Sequence, residues 1–326
     1  MSKIIDGLLN IITHPVFLWI HIGLIIVGVT IWIVSYFVAS HQVYVKTLKR
    51  SSKEQWGRDY PSELEERSIK MYQTGISWAE SNAEFKKDVH IINNGLNLYG
   101  EYYDFGAEKS VIILSGRTEA LRYGYYFAIP YHSAGFNVLV VDPRAHGLSE
   151  GFYNTVGFEE SKDAIAWANM LKNDFGVKSI VLHGICIGAA GGMLAITSKD
   201  CPNVVKGIVT EGMFPNFAES MKNNLIERKK PVFIMLDLID AQMKKYTGHS
   251  MKIGPIDFID KLEKPLLMLH SKEDKFSKAD MAQKLFDKAK TNEKNIVWFE
   301  HGDHSMLRIT DTEKYDEAIK EFLKKI

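Results

Sequence analysis

Apolar and polar positions divide this chain into three regimes. Residues 16–39 read VFLWIHIGLIIVGVTIWIVSYFVA, with hardly a polar position among them. A helix needs about 20 such residues to cross the hydrocarbon core of a bilayer, and this stretch is longer. Residues 47–85 are charged, with Trp56, Tyr60, Leu64, Met71 and Trp78 spaced as on helices. From residue 86 onward, short apolar runs alternate with amphipathic stretches. Residues 89–92 and 96–100 flank Asn94-Gly95, a hairpin signal. Residues 111–114 are continuously apolar, and 137–141 are so after Asn137, as strands buried on both faces should be. Residues 180–182, 207–210, 265–269 and 295–299 continue the series, and helical segments at 158–175 and 279–289 punctuate it. Repeated strand–helix units predict a mostly parallel sheet covered on both faces. Chemistry in such sheets gathers at the carboxyl ends of the strands. One interval breaks the rhythm: residues 213–262 separate two strands that one helix would ordinarily join. Helices are predicted there at 216–228 and 231–246, and the insertion reads either as a lid or as further core.

Composition narrows the picture. Forty basic residues balance forty acidic ones, so no field for nucleic acid is expected. Two cysteines make no disulfide framework and suit a reducing compartment. Neither a metal-ligand spacing nor a phosphate-cradling glycine loop is present, and no cofactor is expected. In the apolar stretch His21 is the one readily ionisable side chain, and Trp19, Trp32 and Tyr36 lie towards its ends as interfacial aromatics do. A signal peptide cleaved near residues 38–40 is the rival reading. Its core would span only about 7–15 residues behind a basic start, so an uncleaved anchor is expected. Lys46, Lys49, Arg50 and Lys53 follow the stretch while Lys3 precedes it, which favours a cytoplasmic catalytic side. A large domain can also be translocated against such a bias.

The chemistry concentrates at Gly184-Ile185-Cys186-Ile187-Gly188, between an apolar run and the small-residue run 189–195. Strand, tight turn and helix read as a nucleophile elbow with cysteine as the nucleophile. A thiol at a helix N-terminus, beside an imidazole, is readily activated. The bland alternative is a packed small hydrophobe. The acid and the base should follow in chain order at the ends of later strands. Asp274 lies just after the run 265–269 and is the expected acid; His304 lies just after 295–299 and is the expected base. His301 and Asp303 share that loop and compete, and Glu211 is a second acid candidate whose plainer role is bracing a loop. The amides of Ile187 and Arg117 are the expected oxyanion donors.

With these residues assembled, the chain from about residue 89 resembles the α/β-hydrolase superfamily, and most closely its serine-aminopeptidase-like or lysophospholipase-like bacterial branch. Asp142-Pro143-Arg144-Ala145-His146-Gly147-Leu148-Ser149-Glu150-Gly151 matches that branch's Asp-x-Arg-Gly-His-Gly-x-Ser-x-Gly loop, with Ala145 in place of a glycine. The resemblance implies a structural role for His146, and the acid and base roles for Asp274 and His304. Two departures stand out: cysteine replaces serine in the elbow, and Ser115-Gly116 replaces a histidine–glycine turn.

The expected organisation is an N-terminal tail at 1–15, a transmembrane anchor at 16–39, a linker with helices at 40–85, and an α/β-hydrolase domain at 86–326 with a short helical lid at 213–262. The expected activity is cleavage or transfer of a hydrophobic acyl group, from a small or lipid-like ester or thioester, through a Cys186–His304–Asp274 triad. An acyltransferase and a silent hydrolase-fold scaffold are the alternatives.

Overall fold

A computed structural model describes residues 14–50 and 66–326. The tail residues 1–13, and the part of the expected linker that carries Trp56, Tyr60 and Leu64, lie outside the described residues. Helix α1, Pro15–Leu48, is followed by α2, Glu66–Ser81. Strands β1 (Lys86–Asn93), β2 (Leu96–Tyr103) and β3 (Lys109–Leu114) come next, then α3 (Leu121–Ser133) and β4 (Asn137–Val141). The chain continues through α4 (Phe158–Asp174), β5 (Ser179–Ile185), α5 (Ile187–Ile196) and β6 (Val205–Glu211). Helices α6 (Phe217–Glu227) and α7 (Met235–Thr247) precede β7 (Leu266–Ser271), α8 (Ala279–Lys288) and β8 (Lys294–Phe299). Two C-terminal helices follow, α9 (Leu307–Thr310) and α10 (Thr312–Leu323).

The eight strands form one sheet in the order β1-β2-β4-β3-β5-β6-β7-β8. Strand β2 runs antiparallel to both neighbours, and every other pairing is parallel. The β1–β2 hairpin closes on Asn94 (φ 50°) and Gly95 (φ 75°), the doubly left-handed turn that this dipeptide favours. The pleat sorts successive residues to opposite faces. Ile112, Leu139 and Val141 pack on one face with Trp167 of α4 and Met193 of α5. Val111, Ile113, Val138 and Val140 pack on the other with Trp78 of α2 and Tyr131 of α3. Chain order reverses beside β3: β4 lies on one side of it and β5 on the other. That reversal opens a crevice at the carboxyl ends of β3 and β5, where α/β sheets bind ligands.

A third apolar cluster lies above that edge. It joins Phe217, Met221 and Leu225 of α6 and Met235, Ile239 and Met243 of α7 to Met251, Phe214 and Ile187, so the inserted segment has an apolar core of its own. Tyr44 and Leu48 of α1 belong to this same cluster and are fully buried. Helix α1 therefore continues past residue 39, where hydropathy alone places the end of the apolar stretch, and its last turns pack into the core of the inserted segment. Helix α7 begins at Met235, later than the apolar run from residue 231 suggests. Ile234 adopts φ 60°, a left-handed value that ends regular helix at that residue.

Candidate active site

Cys186 stands alone between β5 and α5 with φ 53° and ψ −112°, a backbone strain typical of a nucleophile elbow. The flanking glycines are obligatory. A Cβ on Gly184 would lie 2.4 Å from the Ala189 Cα, and one on Gly188 would lie 2.0 Å from the Leu114 carbonyl oxygen. The Cys186 amide donates to the Glu211 carbonyl at 2.9 Å, tying the elbow to the end of β6.

The loops after β7 and β8 bring the acid and the base to the same edge. His304 Nδ1 lies 2.6 Å from Asp274 Oδ2. The other carboxylate oxygen of Asp274 accepts the amides of Phe276 and Ser277, both at 2.8 Å. Burial pushes the Asp274 carboxyl up, but the charge of His304 and its hydrogen bond hold it below the ordinary value. Burial likewise pulls the His304 imidazole down. The charges of Cys186 and Asp274, and hydrogen bonds to both, outweigh that effect and hold it well above the ordinary histidine value. An ionised Asp274 therefore faces Nδ1–H, and Cys186 is close enough to help raise the imidazole.

The competing residues point elsewhere. His301 is exposed and meets Glu273 at 3.1 Å, and Asp303 pairs with Arg67 at 2.6 Å on the surface. Glu211 is fully buried and does not bond His304. Its Oε1 accepts the Leu307 amide at 3.1 Å and its Oε2 accepts the Tyr315 hydroxyl at 2.7 Å, which braces the loop that carries the base. Burial raises its carboxyl to about 7. Tyr315 in turn meets Nε2 of the buried His183, whose Nδ1 meets the Tyr131 hydroxyl.

Ile187 opens α5, and the first amides of a helix have no partner within it. Arg117 sits in the turn after β3 between two engaged amides. Gly116 N–H donates to Glu119 Oε2 at 3.1 Å, and Thr118 N–H donates to His146 Nε2 at 3.0 Å. A Cβ on Gly116 would come within 3.6 Å of the Cys186 Cβ, so the turn lies directly against the nucleophile. His146 is fully buried, and burial pulls its pKa down to about 4. The ring is thus neutral and props the turn, with Nδ1–H donated to the Arg144 carbonyl at 2.8 Å. Two further contributors escape sequence reasoning. Glu119 holds the turn from its own side. Gly212 has φ 61°, and a Cβ there would lie 2.9 Å from the His304 Cε1. A glycine directly after a predicted strand end is the one signal that points to Gly212.

Cys186 also packs against the lid cluster, so the nucleophile lies between the sheet edge and an apolar roof. The arrangement suits attack on a carbonyl carbon: a thiol in an elbow, a polarised imidazole, an oriented carboxylate and main-chain donors near the place where negative charge would develop.

Comparison with known proteins agrees with this architecture. The Bacillus subtilis (strain 168) protein YqkD is 29% identical over 222 residues, covering 66% of this chain and 71% of its own. The Pyrococcus furiosus esterase Pf2001 superposes with a TM-score of 0.63 at 24% identity, covering 76% of this chain and 94% of the esterase. An alpha-beta hydrolase from Vibrio vulnificus does so with a TM-score of 0.58 at 20% identity, over 81% and 89% of the two chains. At these identities the two structures establish the fold. Residues 124–326, which hold the elbow, the lid and both later loops, match the model of the prolyl oligopeptidase family, and the chain belongs to that family with an α/β-hydrolase fold.

Proposed function

We propose that this protein is a membrane-anchored acyl hydrolase that works through a Cys186–His304–Asp274 triad and a thioester intermediate. The observation that carries the reading is the 2.6 Å contact of His304 with Asp274, on an imidazole that the elbow cysteine helps to raise. Sγ of Cys186 attacks the acyl carbonyl carbon, and the resulting oxyanion is stabilised by the amides of Ile187 and Arg117. As the tetrahedral intermediate collapses, the bond to the leaving group breaks and the His304 proton passes to that group. His304 then takes a proton from water, whose oxygen attacks the thioester carbon; collapse releases the acid and returns the proton to the Cys186–His304 pair. The methionine-rich roof suits a hydrophobic acyl chain, because unbranched thioether side chains adapt to irregular apolar shapes. The esterase and peptidase names among the relatives share one step, attack on a carbonyl carbon.

The anchor reading is supported by α1 itself. From Pro15 to Ser35 the helix is apolar and almost wholly uncovered by the domain, whereas the core helix of a soluble protein would be buried. A thiol-reactive acyl probe, applied to wild type, Cys186→Ala and His304→Ala in vesicles, tests the mechanism. Labelling should vanish in the first variant and slow sharply in the second. Full turnover of an acyl substrate by Cys186→Ala would refute the covalent route.

A further inference from the structure

We propose that the tip of the lid, residues 226–235, is a second membrane-contacting element, seated in the headgroup layer of an anionic phospholipid bilayer beside α1. The inference rests on the reading of α1 as the anchor, and it names the surface from which substrate reaches the site.

The register of two helices carries it. His41 Nδ1 lies 2.7 Å from Gln242 Oε1, and Gln242 Nε2 lies 3.3 Å from Ser40 Oγ. Four residues further along both helices, Tyr44 stacks on Tyr246 at 5.6 Å. Equal spacing in the same direction means that α1 and α7 run side by side and parallel. Seven residues before Gln242 comes Met235, the first residue of α7, and seven before Ser40 comes Ile33. At 1.5 Å of rise per residue the two lie about 10 Å back towards the N-terminal end, at a common level. Ile33 is well inside the apolar stretch that runs to residue 39. Packing of the domain against α1 begins at Tyr36, whose ring meets Trp32 at 5.0 Å, an aromatic pair at the depth where such side chains mark a bilayer surface. The lid tip therefore overhangs the level at which the anchor enters lipid.

The composition of the tip fits that position. Ile226, Phe233 and Ile234 are exposed, Phe233 to 76%. Between them Arg228, Lys229 and Lys230 are exposed and form no ion pair among the described residues. The acids on the flanking helices are already engaged, Glu227 with Lys275 at 2.8 Å and Asp237 with Lys252 at 2.6 Å, so the local charge is positive. Apolar side chains interleaved with unpaired cations match the boundary between acyl chains and anionic headgroups. Because α6 and α7 form the roof over Cys186, a seated tip turns the mouth of the site towards the lipid.

The test uses the full chain with Cys186→Ser and Cys201→Ser, reconstituted in phosphatidylcholine vesicles with or without phosphatidylglycerol. A nitroxide is placed in turn at Phe233→Cys, at Ile26→Cys in the apolar stretch, and at Lys199→Cys in the loop leading into the amino end of β6. Accessibility to oxygen relative to a water-soluble nickel chelate then reports depth. The expected result is a ratio at 233 above the water-like value at 199 and below the deep-lipid value at 26. In anionic vesicles, Arg228→Ser, Lys229→Ser and Lys230→Ser together should weaken seating of the tip, by about fivefold per cation removed. A water-like ratio at 233 with a lipid-like one at 26 overturns the proposal and leaves the anchor standing. A water-like ratio at 26 removes the anchor and the proposal together. Shielding of 233 from both reagents would assign the tip to a second copy or another protein, and would overturn it as well.

Discussion

The floor and the roof of the candidate site are built on different physical principles. The floor is directional. Cys186, Glu211, Asp274, His304 and His146 are held by hydrogen bonds of 2.6 to 3.1 Å, and glycines stand where any side chain would strike backbone. The roof is held by apolar contact among methionines, Phe214, Phe217 and the last turns of α1. Directional contacts fix a geometry within tenths of an ångström, which bond-making requires. Non-directional contacts among flexible side chains tolerate a change of shape, which admission of varied acyl chains requires. Chemistry and selectivity should therefore be separable by mutation.

The sharpest test of that separation is Cys186→Ala. Turnover and probe labelling should fall by about 10⁴-fold or more while melting temperature barely moves, because the side chain replaced is small. Asp274→Asn should come next, with a loss of about 10³- to 10⁴-fold in kcat, since an amide no longer holds the imidazole in the required tautomer. Single-turnover kinetics should then show slowed acylation with little change in binding. Met243→Ala probes the roof. It should destabilise the fold by about 2–4 kcal/mol in denaturant titrations and shift acyl-chain preference, while a short-chain thiol-reactive probe still labels at close to the wild-type rate. A large loss of short-chain labelling in that variant would break the comparison.

Glu211 belongs to the floor but acts through stability. Its folded-state pKa of about 7 lies above the ordinary glutamate value, so as pH rises the unfolded chain gives up this proton first. Its contribution is complete below the ordinary value and is lost as pH rises to about 7, a change of roughly 3 kcal/mol. Glu211→Gln should flatten stability across that window, as read from urea midpoints at a series of pH values. The smallest expected effect is at Ala145, which has φ 63° in a loop where the resembling branch carries glycine. Ala145→Gly should stabilise by about 1 kcal/mol, the approximate cost of a left-handed conformation for an L-residue. An unchanged midpoint would mean that unfolded-state entropy offsets the relief of strain.

Much of the floor is legible in the amino-acid sequence. Strands such as 111–114 announce themselves by unbroken apolar runs, and a nucleophile, an acid and a base placed after successive strands must share one edge of a parallel sheet. Partners chosen by packing are not legible there. Asp303 and His304 sit side by side in the chain, and only the path of the loop decides that one meets Arg67 and the other Asp274. Periodicity reads α1 as apolar, but nothing in it says that Tyr44 and Leu48 turn towards α7. The run 231–234 looks helical by hydrophobicity, and the left-handed backbone of Ile234 overrides it. The structural role of His146 follows from resemblance, whereas its bond to Thr118 depends on how two distant loops fold against each other.

One feature of α1 constrains how this enzyme can search for substrate. Arg50, just past its end, donates to the carbonyls of Ser149 and Gly147 at 2.8 and 2.7 Å, and the Asn154 amide bonds back to the Leu48 carbonyl at 2.9 Å. Helix and catalytic body are thus bolted together by direct contacts at this point. A domain held by a long flexible linker alone would sample a hemisphere of solution, whereas these contacts fix the orientation of the body relative to the helix. With α1 seated in a bilayer as proposed, that fixed orientation would make the search for substrate two-dimensional, set by surface density.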